Sequence, residues 1–254
     1  MIVLNKFVSA WGMPDLSPFC IKVETYLRMA GLPFQSRVAD ARSAPKGKLP
    51  YIDDGGTLIA DSRDIIAHLE AKLPRPIDAG LSSSERALST MFRALFESEL
   101  YFCGLYLRWQ MDDGWHAYQS ALREYASRIG TPSLLQPLIL RSVRKKLVRD
   151  LWGQGTGRHT REAVEAQARE SLDATSVQLG TGPYLLGATP RTIDATVHAF
   201  LWSLLDAPFE SPIRDHARKL SNLVEYKERL RAQFYADASP ARERESGTRL
   251  GSAA

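Results

Sequence analysis

The spacing of apolar residues changes several times before position 73 and then settles into a single repeat. Residues 2–8 are a short apolar, β-branched run that predicts a strand. Ser17 and Pro18 then open a helix with Val23, Tyr26, Leu27 and Ala30 on one face, and Gly31 ends it. Residues 33–38, 49–53 and 57–60 read as three further strands, the last two joined by the turn Asp54-Gly55-Gly56, and residues 62–72 as a second helix. A strand, a crossover helix and a second strand pair in parallel with a right-handed connection. Pro74, Pro76 and Gly80 fall together in a short polar stretch that reads as a linker. Everything after it has helical spacing, over 84–111, 115–129, 134–152, 161–179, 193–205 and 214–235. The predicted division is an α/β domain at 1–73, a linker at 74–83, an all-helical domain at 84–236 and a polar tail at 237–254. The tail lacks the apolar spacing needed to dock and is expected to be disordered.

Composition narrows the function classes. The chain has 254 residues, 44% hydrophobic and 24% charged, which excludes disorder for most of its length. A formal charge of +4 gives no indication of nucleic acid as a partner. Two cysteines, Cys20 and Cys103, make no disulfide framework, no Cys/His cluster has zinc spacing, and a reducing cytoplasmic setting is expected, with no metal. Lys6 interrupts the apolar start, so that segment reads as a strand and not as a signal peptide, and no transmembrane segment is expected. The basic run Arg141, Arg144, Lys145, Lys146 and Arg149 reads as a solvated outer helix face, and His159 and His198 as structural.

Three short motifs carry candidate chemistry. In Ser17-Pro18-Phe19-Cys20 the serine is a favoured N-cap and the proline a favoured first helical residue. With its oxygen accepting a backbone N–H, the Ser17 hydroxyl proton is free to meet an incoming thiolate, which also feels the positive end of the helix dipole. Lowering a thiol pKa by two units takes about 2.7 kcal/mol of preferential stabilisation. Taken alone, the tetrad is better explained by a structural cap. In Lys48-Leu49-Pro50 a proline opens a predicted strand, and a cis bond there would leave the main-chain N–H and C=O of Leu49 facing a cleft and an extended peptide-like ligand. An ordinary trans proline at a strand edge fits the same residues. Asp61-Ser62 stands before a helix start, which suits the carboxylate and ammonium of an α-amino acid and suits an ordinary cap as well.

These motifs occur in order on the elements of one α/β module, and at that point the sequence resembles the serine-type glutathione S-transferase superfamily. The stretch 17–34 is particularly similar to bacterial relatives of the failed-axon-connections and metaxin group. Tyr184-Leu185-Leu186-Gly187 followed by Pro190 to Ala195 is similar to the signature that precedes a buried helix of the second domain. The resemblance implies a thioredoxin-like first domain, an all-helical second domain and a homodimer. It implies that Ser17 activates the glutathione thiol, that the backbone of Leu49 beside Pro50 holds the cysteinyl part, that Asp61 and Ser62 bind the γ-glutamyl group, and that Lys48 lies near the glycyl carboxylate. The implied activity is detoxifying attack of the thiolate on a small electrophile seated against helical-domain residues such as Phe102, Tyr106, Trp109 and Trp115, whose default reading is helix core. A non-catalytic binding or scaffold protein of the metaxin type is the alternative.

Two departures and one further residue complete the reading. Arg191 stands where the superfamily has a Ser or Thr cap, so the cap before Asp194 is expected to be shifted or weakened, at about 1 kcal/mol. The segment 40–48 is short for the helix usual there. Cys20 is a secondary candidate for the sulfur chemistry, but without a Cys at position 17 no dithiol couple exists, and a small buried residue is the simpler reading.

Overall fold

The computed structural model describes residues 1–236, so the expected tail at 237–254 lies outside the described residues. Strands β1 (Ile2–Lys6), β2 (Phe34–Val38), β3 (Tyr51–Asp54) and β4 (Thr57–Ala60) form one sheet in the order β2-β1-β3-β4. β1 and β2 pair in parallel from Ile2↔Phe34 to Lys6↔Val38, and β3 is antiparallel to both β1 and β4. Helices α1 (Pro18–Met29) and α2 (Ser62–Lys72) close over the sheet. Leu4 and Ile52 meet Val23, Leu27, Ile65 and Leu69 in that core, and Ala195 of the helical domain joins them. β1 ends before Phe7 and Val8 because both leave the sheet: Phe7 sits edge-on to Tyr125 at 4.9 Å, and Val8 packs with Leu16 and Tyr118.

The second domain is all helical: α3 (Ser83–Ala94), α4 (Tyr101–Leu105), α5 (Asp112–Arg128), α6 (Gln136–Gln154), α7 (Arg161–Leu179), α8 (Thr192–Leu205), α9 (Pro212–Lys219) and α10 (Ser221–Phe234). The helix expected over 84–111 is one continuous run, but two π-helical turns at Leu95–Leu100 and Tyr106–Gln110 interrupt its regular bonding. The helix expected over 214–235 is two, because Leu220 leaves the helical region at φ −85°, ψ 80°. That break lets Ile213 and Ala217 face α7 while Leu223, Tyr226 and Leu230 reach α8. Helix α8 is apolar nearly all round and packs against α1, which joins the two domains through their cores.

The expected weakness at the start of α8 is repaired from outside the helix. Arg191 occupies the cap position without a side-chain cap, and Asp78 of the linker accepts from Thr192 N at 2.9 Å and Thr192 Oγ1 at 2.6 Å. Arg191 instead donates to the carbonyls of Ile77 and Ala79. In the basic run, Arg144 departs from the expected outer face: it turns inward to the carbonyls of Trp109 and Gln110 and to Asp112.

Candidate active site

Ser17 is delivered by the loop between β1 and α1, which is held from below by buried charges. Trp11 and Gly12 both have positive φ, 53° and 77°, and Ala10 and Met13 exchange hydrogen bonds around them, which makes a tight mirror-type turn. Lys6 Nζ donates to the carbonyl of Pro14 and to Glu24 Oε2, each at 2.8 Å, while Glu24 also accepts from Arg28. Asp15, fully buried, accepts the Ser17 N–H at 2.8 Å on Oδ1. Ser17 caps α1 with its carbonyl, which accepts from Cys20 N and Ile21 N. Its side chain makes no cap bond, contrary to expectation: Asp15 takes the N–H, and the hydroxyl has no partner among the described residues. That half-buried hydroxyl at a helix N-terminus can both donate and accept.

The Leu49–Pro50 bond is cis, and neither the N–H nor the C=O of Leu49 has a main-chain partner among the described residues. These orphaned groups at the lip of β3 are what an extended peptide-like ligand needs. Asp61 is held at φ 85°, ψ 127°, a conformation that L residues rarely adopt, and its side chain accepts from Arg63 N. The strain turns the chain so that Ser62 starts α2 with its hydroxyl buried. Lys22 Nζ donates to Ser62 Oγ at 3.1 Å and to Glu97 Oε1 at 2.6 Å, which links α1, α2 and the first π turn of the helical domain. With its oxygen accepting from Lys22, Ser62 keeps its proton for an acceptor, and a carboxylate fits that role. Lys48 is exposed, while its neighbour Lys46 pairs with Asp64.

A cleft begins at Pro18, directly after Ser17, and runs between Tyr101, Leu107, Phe200 and Phe209, with Arg108 on its wall. Phe19 stacks edge-on with Tyr101 and Phe200 at 4.8 and 5.4 Å and braces this side. Tyr106, Trp109 and Trp115, expected as cleft candidates, are buried in the helical core, and Phe102 packs against Tyr101. Arg108 donates to Tyr118, whose hydroxyl donates to the carbonyl of Leu16. Cys20 is buried, and burial together with the Asp15 charge pushes its thiol well up, so it offers neither access nor thiolate. Cys103 is buried too, its thiol pushed up to about 12 by burial and the Glu99 charge. Among the described residues no group of three His, Cys, Asp or Glu side chains is placed to hold a metal.

The family model described as the glutathione S-transferase N-terminal domain matches residues 18–115, and the C-terminal domain model matches 168–230. The isoprene-epoxide–glutathione S-transferase of Rhodococcus sp. (strain AD45) is 35% identical over 240 residues, covering 92% of this chain and 99% of that protein. The chain belongs to the glutathione S-transferase family. Failed axon connections of Drosophila melanogaster is 30% identical over 249 residues, and the match spans 93% of this chain but only 59% of that protein. Apo human glutathione-S-transferase T1-1 shares the fold at TM-score 0.59 and 17% identity, covering 93% of this chain and 85% of that one.

Within this glutathione S-transferase, three residues at the site lie outside the motifs that announced it: Lys22, Glu97 and Asp15. Lys22 and Glu97 are 75 positions apart, and only the packing of α1 on the helical domain joins them. The one signal was a lysine between Ile21 and Val23 in a helix that buries residues on every side. Asp15 belongs to no motif, and its burial accompanies the Lys6–Pro14 bond that holds the loop inward.

Proposed function

We propose that this protein is a glutathione transferase that seats glutathione along the lip of β3 and the start of α2, and directs its thiolate from Ser17 to a small epoxide-class electrophile. Supporting this reading above all is the Ser17 hydroxyl, unpartnered at the N-terminus of α1 and adjoining the cleft wall at Pro18. In the proposed complex Ser17 donates to the thiolate, the N–H and C=O of Leu49 beside Pro50 pair with the cysteinyl unit, and the Ser62 hydroxyl donates to the γ-glutamyl carboxylate. Asp61 takes the ammonium group and Lys48 the glycyl carboxylate. The sulfur attacks an epoxide carbon, the C–O bond breaks, and the alkoxide takes up a proton. Tyr101, whose hydroxyl bonds to nothing among the described residues, and Arg108 line the cleft where that alkoxide forms. The identity and coverage of the isoprene-epoxide–glutathione S-transferase favour this substrate class. A homodimer, a cytoplasmic setting and a detoxifying role belong to the same proposal and rest on family membership; sedimentation equilibrium tests the first.

Calorimetry should register glutathione binding by the wild type and its marked weakening in Ser62→Ala. With a small alkyl epoxide, Ser17→Ala should lose about 10²-fold in kcat while binding glutathione nearly as well. Equal turnover in Ser17→Ala and wild type would move the chemistry elsewhere. A wild type that binds no glutathione would favour the non-catalytic scaffold reading, for which the Failed axon connections relative is the motive.

A further inference from the structure

Helix α6 carries two opposite faces that both demand burial. Gln136, Leu140 and Leu151 are buried, and Arg144 and Leu147, half-buried, lie on the same side. At spacings of three and four residues, Leu138, Arg141, Lys145, Arg149 and Trp152 fall within about 80° of one another on the other side, and Leu134 stands in the turn that leads into the helix. Leu134, Leu138 and Trp152 are 91%, 68% and 58% exposed. An outward face of a water-soluble helix is normally polar throughout.

The charges on this face are also uncompensated. Arg144 and Lys146 of the same helix pair with Asp112 and Asp150, whereas Arg141, Lys145 and Arg149 have no ion-pair partner among the described residues. No carboxylate lies in the stripe. From Leu138 to Trp152 the result is a track about 21 Å long, apolar at both ends and cationic between. It falls in 116–167, the stretch matched by neither family domain, so it is not part of what the two domain models share with this chain.

Three kinds of partner can be compared by their chemistry. A second copy meeting this face across a two-fold axis would set its cations against their own image. Nucleic acid would satisfy the cations but leave Leu134 and Leu138 in water. An anionic bilayer satisfies both: phosphates meet the cations, and leucine and tryptophan enter the boundary between headgroups and acyl chains. We propose that the α6 face bearing Leu138, Arg141, Lys145, Arg149 and Trp152, with Leu134 in the turn before it, docks the protein flat on an anionic membrane surface. This surface is independent of the glutathione site.

The test is co-sedimentation of the full chain with phosphatidylcholine vesicles, with and without phosphatidylserine. Binding is expected only with phosphatidylserine and should weaken as salt screens the cations. Arg141→Glu/Lys145→Glu/Arg149→Glu should bind at least about tenfold more weakly. Leu134→Asp/Leu138→Asp should also weaken binding with all cations retained, and a blue shift of tryptophan emission on binding should disappear in Trp152→Phe. All of these positions are exposed, so circular dichroism and glutathione turnover should match wild type. Failure of the wild type to bind anionic vesicles overturns the proposal, as does binding that ignores the leucine pair. A dimer abolished by Leu134→Asp/Leu138→Asp would reassign the face to a second copy. Duplex DNA that displaces the vesicles yet binds equally well after the leucine changes would reassign it to nucleic acid.

Discussion

Lys22 is the residue at which the proposed glutathione binding and stability meet. Its ammonium is buried among α1, α2 and the first π turn; burial pulls its pKa down, and the Glu97 carboxylate counters that pull. Removing one member of a buried pair leaves the other uncompensated, which typically costs about 3–5 kcal/mol. Lys22→Met should therefore lower the melting temperature and, by freeing the Ser62 oxygen to turn away from its ligand, raise KM for glutathione about tenfold with a smaller change in kcat. Lys22→Met/Glu97→Leu should regain much of the stability, because an apolar pair of similar bulk replaces the ions. KM should stay raised in that double variant. If KM recovers together with the melting temperature, Lys22 only supports the fold and does not position Ser62. The sequence offered Ser17, Leu49 and Ser62 as candidates because each sits in a local motif with a local physical reason. It offered no motif for Lys22 and Glu97, because their contact joins segments 75 positions apart.

At the level of elements, apolar periodicity located nearly every helix but said nothing of irregular turns within them. The run 83–110 reads as regular because its apolar residues continue to face the core through both π turns, and only the hydrogen-bond pattern changes. The second π turn has a consequence in α5. A Cβ on Gly114 would stand 2.0 Å from the carbonyl oxygen of Leu107 and 2.9 Å from its carbon, both main-chain atoms that cannot swing aside. Gly114→Ala should cost more than about 3 kcal/mol through overpacking, despite the gain in helix propensity. Gly104→Ala meets nothing nearer than the Arg108 guanidinium at 3.8 Å and should leave stability unchanged or slightly higher. Urea unfolding of the two variants decides the matter: equal midpoints would mean that the π turn relaxes freely away from α5. The same limit explains Leu220, where the sequence pattern runs on and the chain turns, and Asp78, a linker residue whose capping of α8 depends on where the domains meet.

At the scale of the whole molecule, Asp15 beneath the candidate site and His198 at the domain interface are buried groups that respond to pH in opposite directions. Burial pushes the Asp15 carboxyl from 3.8 up to about 7, against the pull of Lys6 and the Ser17 N–H. Between those values the folded state holds the proton more tightly than the unfolded chain, so stability from this group falls as pH rises. His198 lies between α8 and α1 with Thr25 Oγ1 at 3.3 Å from Nδ1, and burial, reinforced by Lys227, lowers its pKa from 6.5 to about 3. Here the unfolded chain binds the proton more tightly, so stability rises with pH across that window and is lost as the solution is acidified through it. The windows overlap from about pH 4 to 6.5, where the two contributions run in opposite directions and largely cancel. Asp15→Asn keeps an oxygen to accept the Ser17 N–H but has no proton to exchange, so its melting temperature should climb more steeply with pH than that of the wild type. His198→Gln should show the reverse, a profile that declines with pH relative to wild type over the same range. Thermal unfolding of the three proteins at closely spaced pH values makes the comparison, and each difference should reach a few kcal/mol across its window. Parallel profiles would mean that Asp15 and His198 keep ordinary proton affinities, and that the loop beneath Ser17 and the α1–α8 contact admit water.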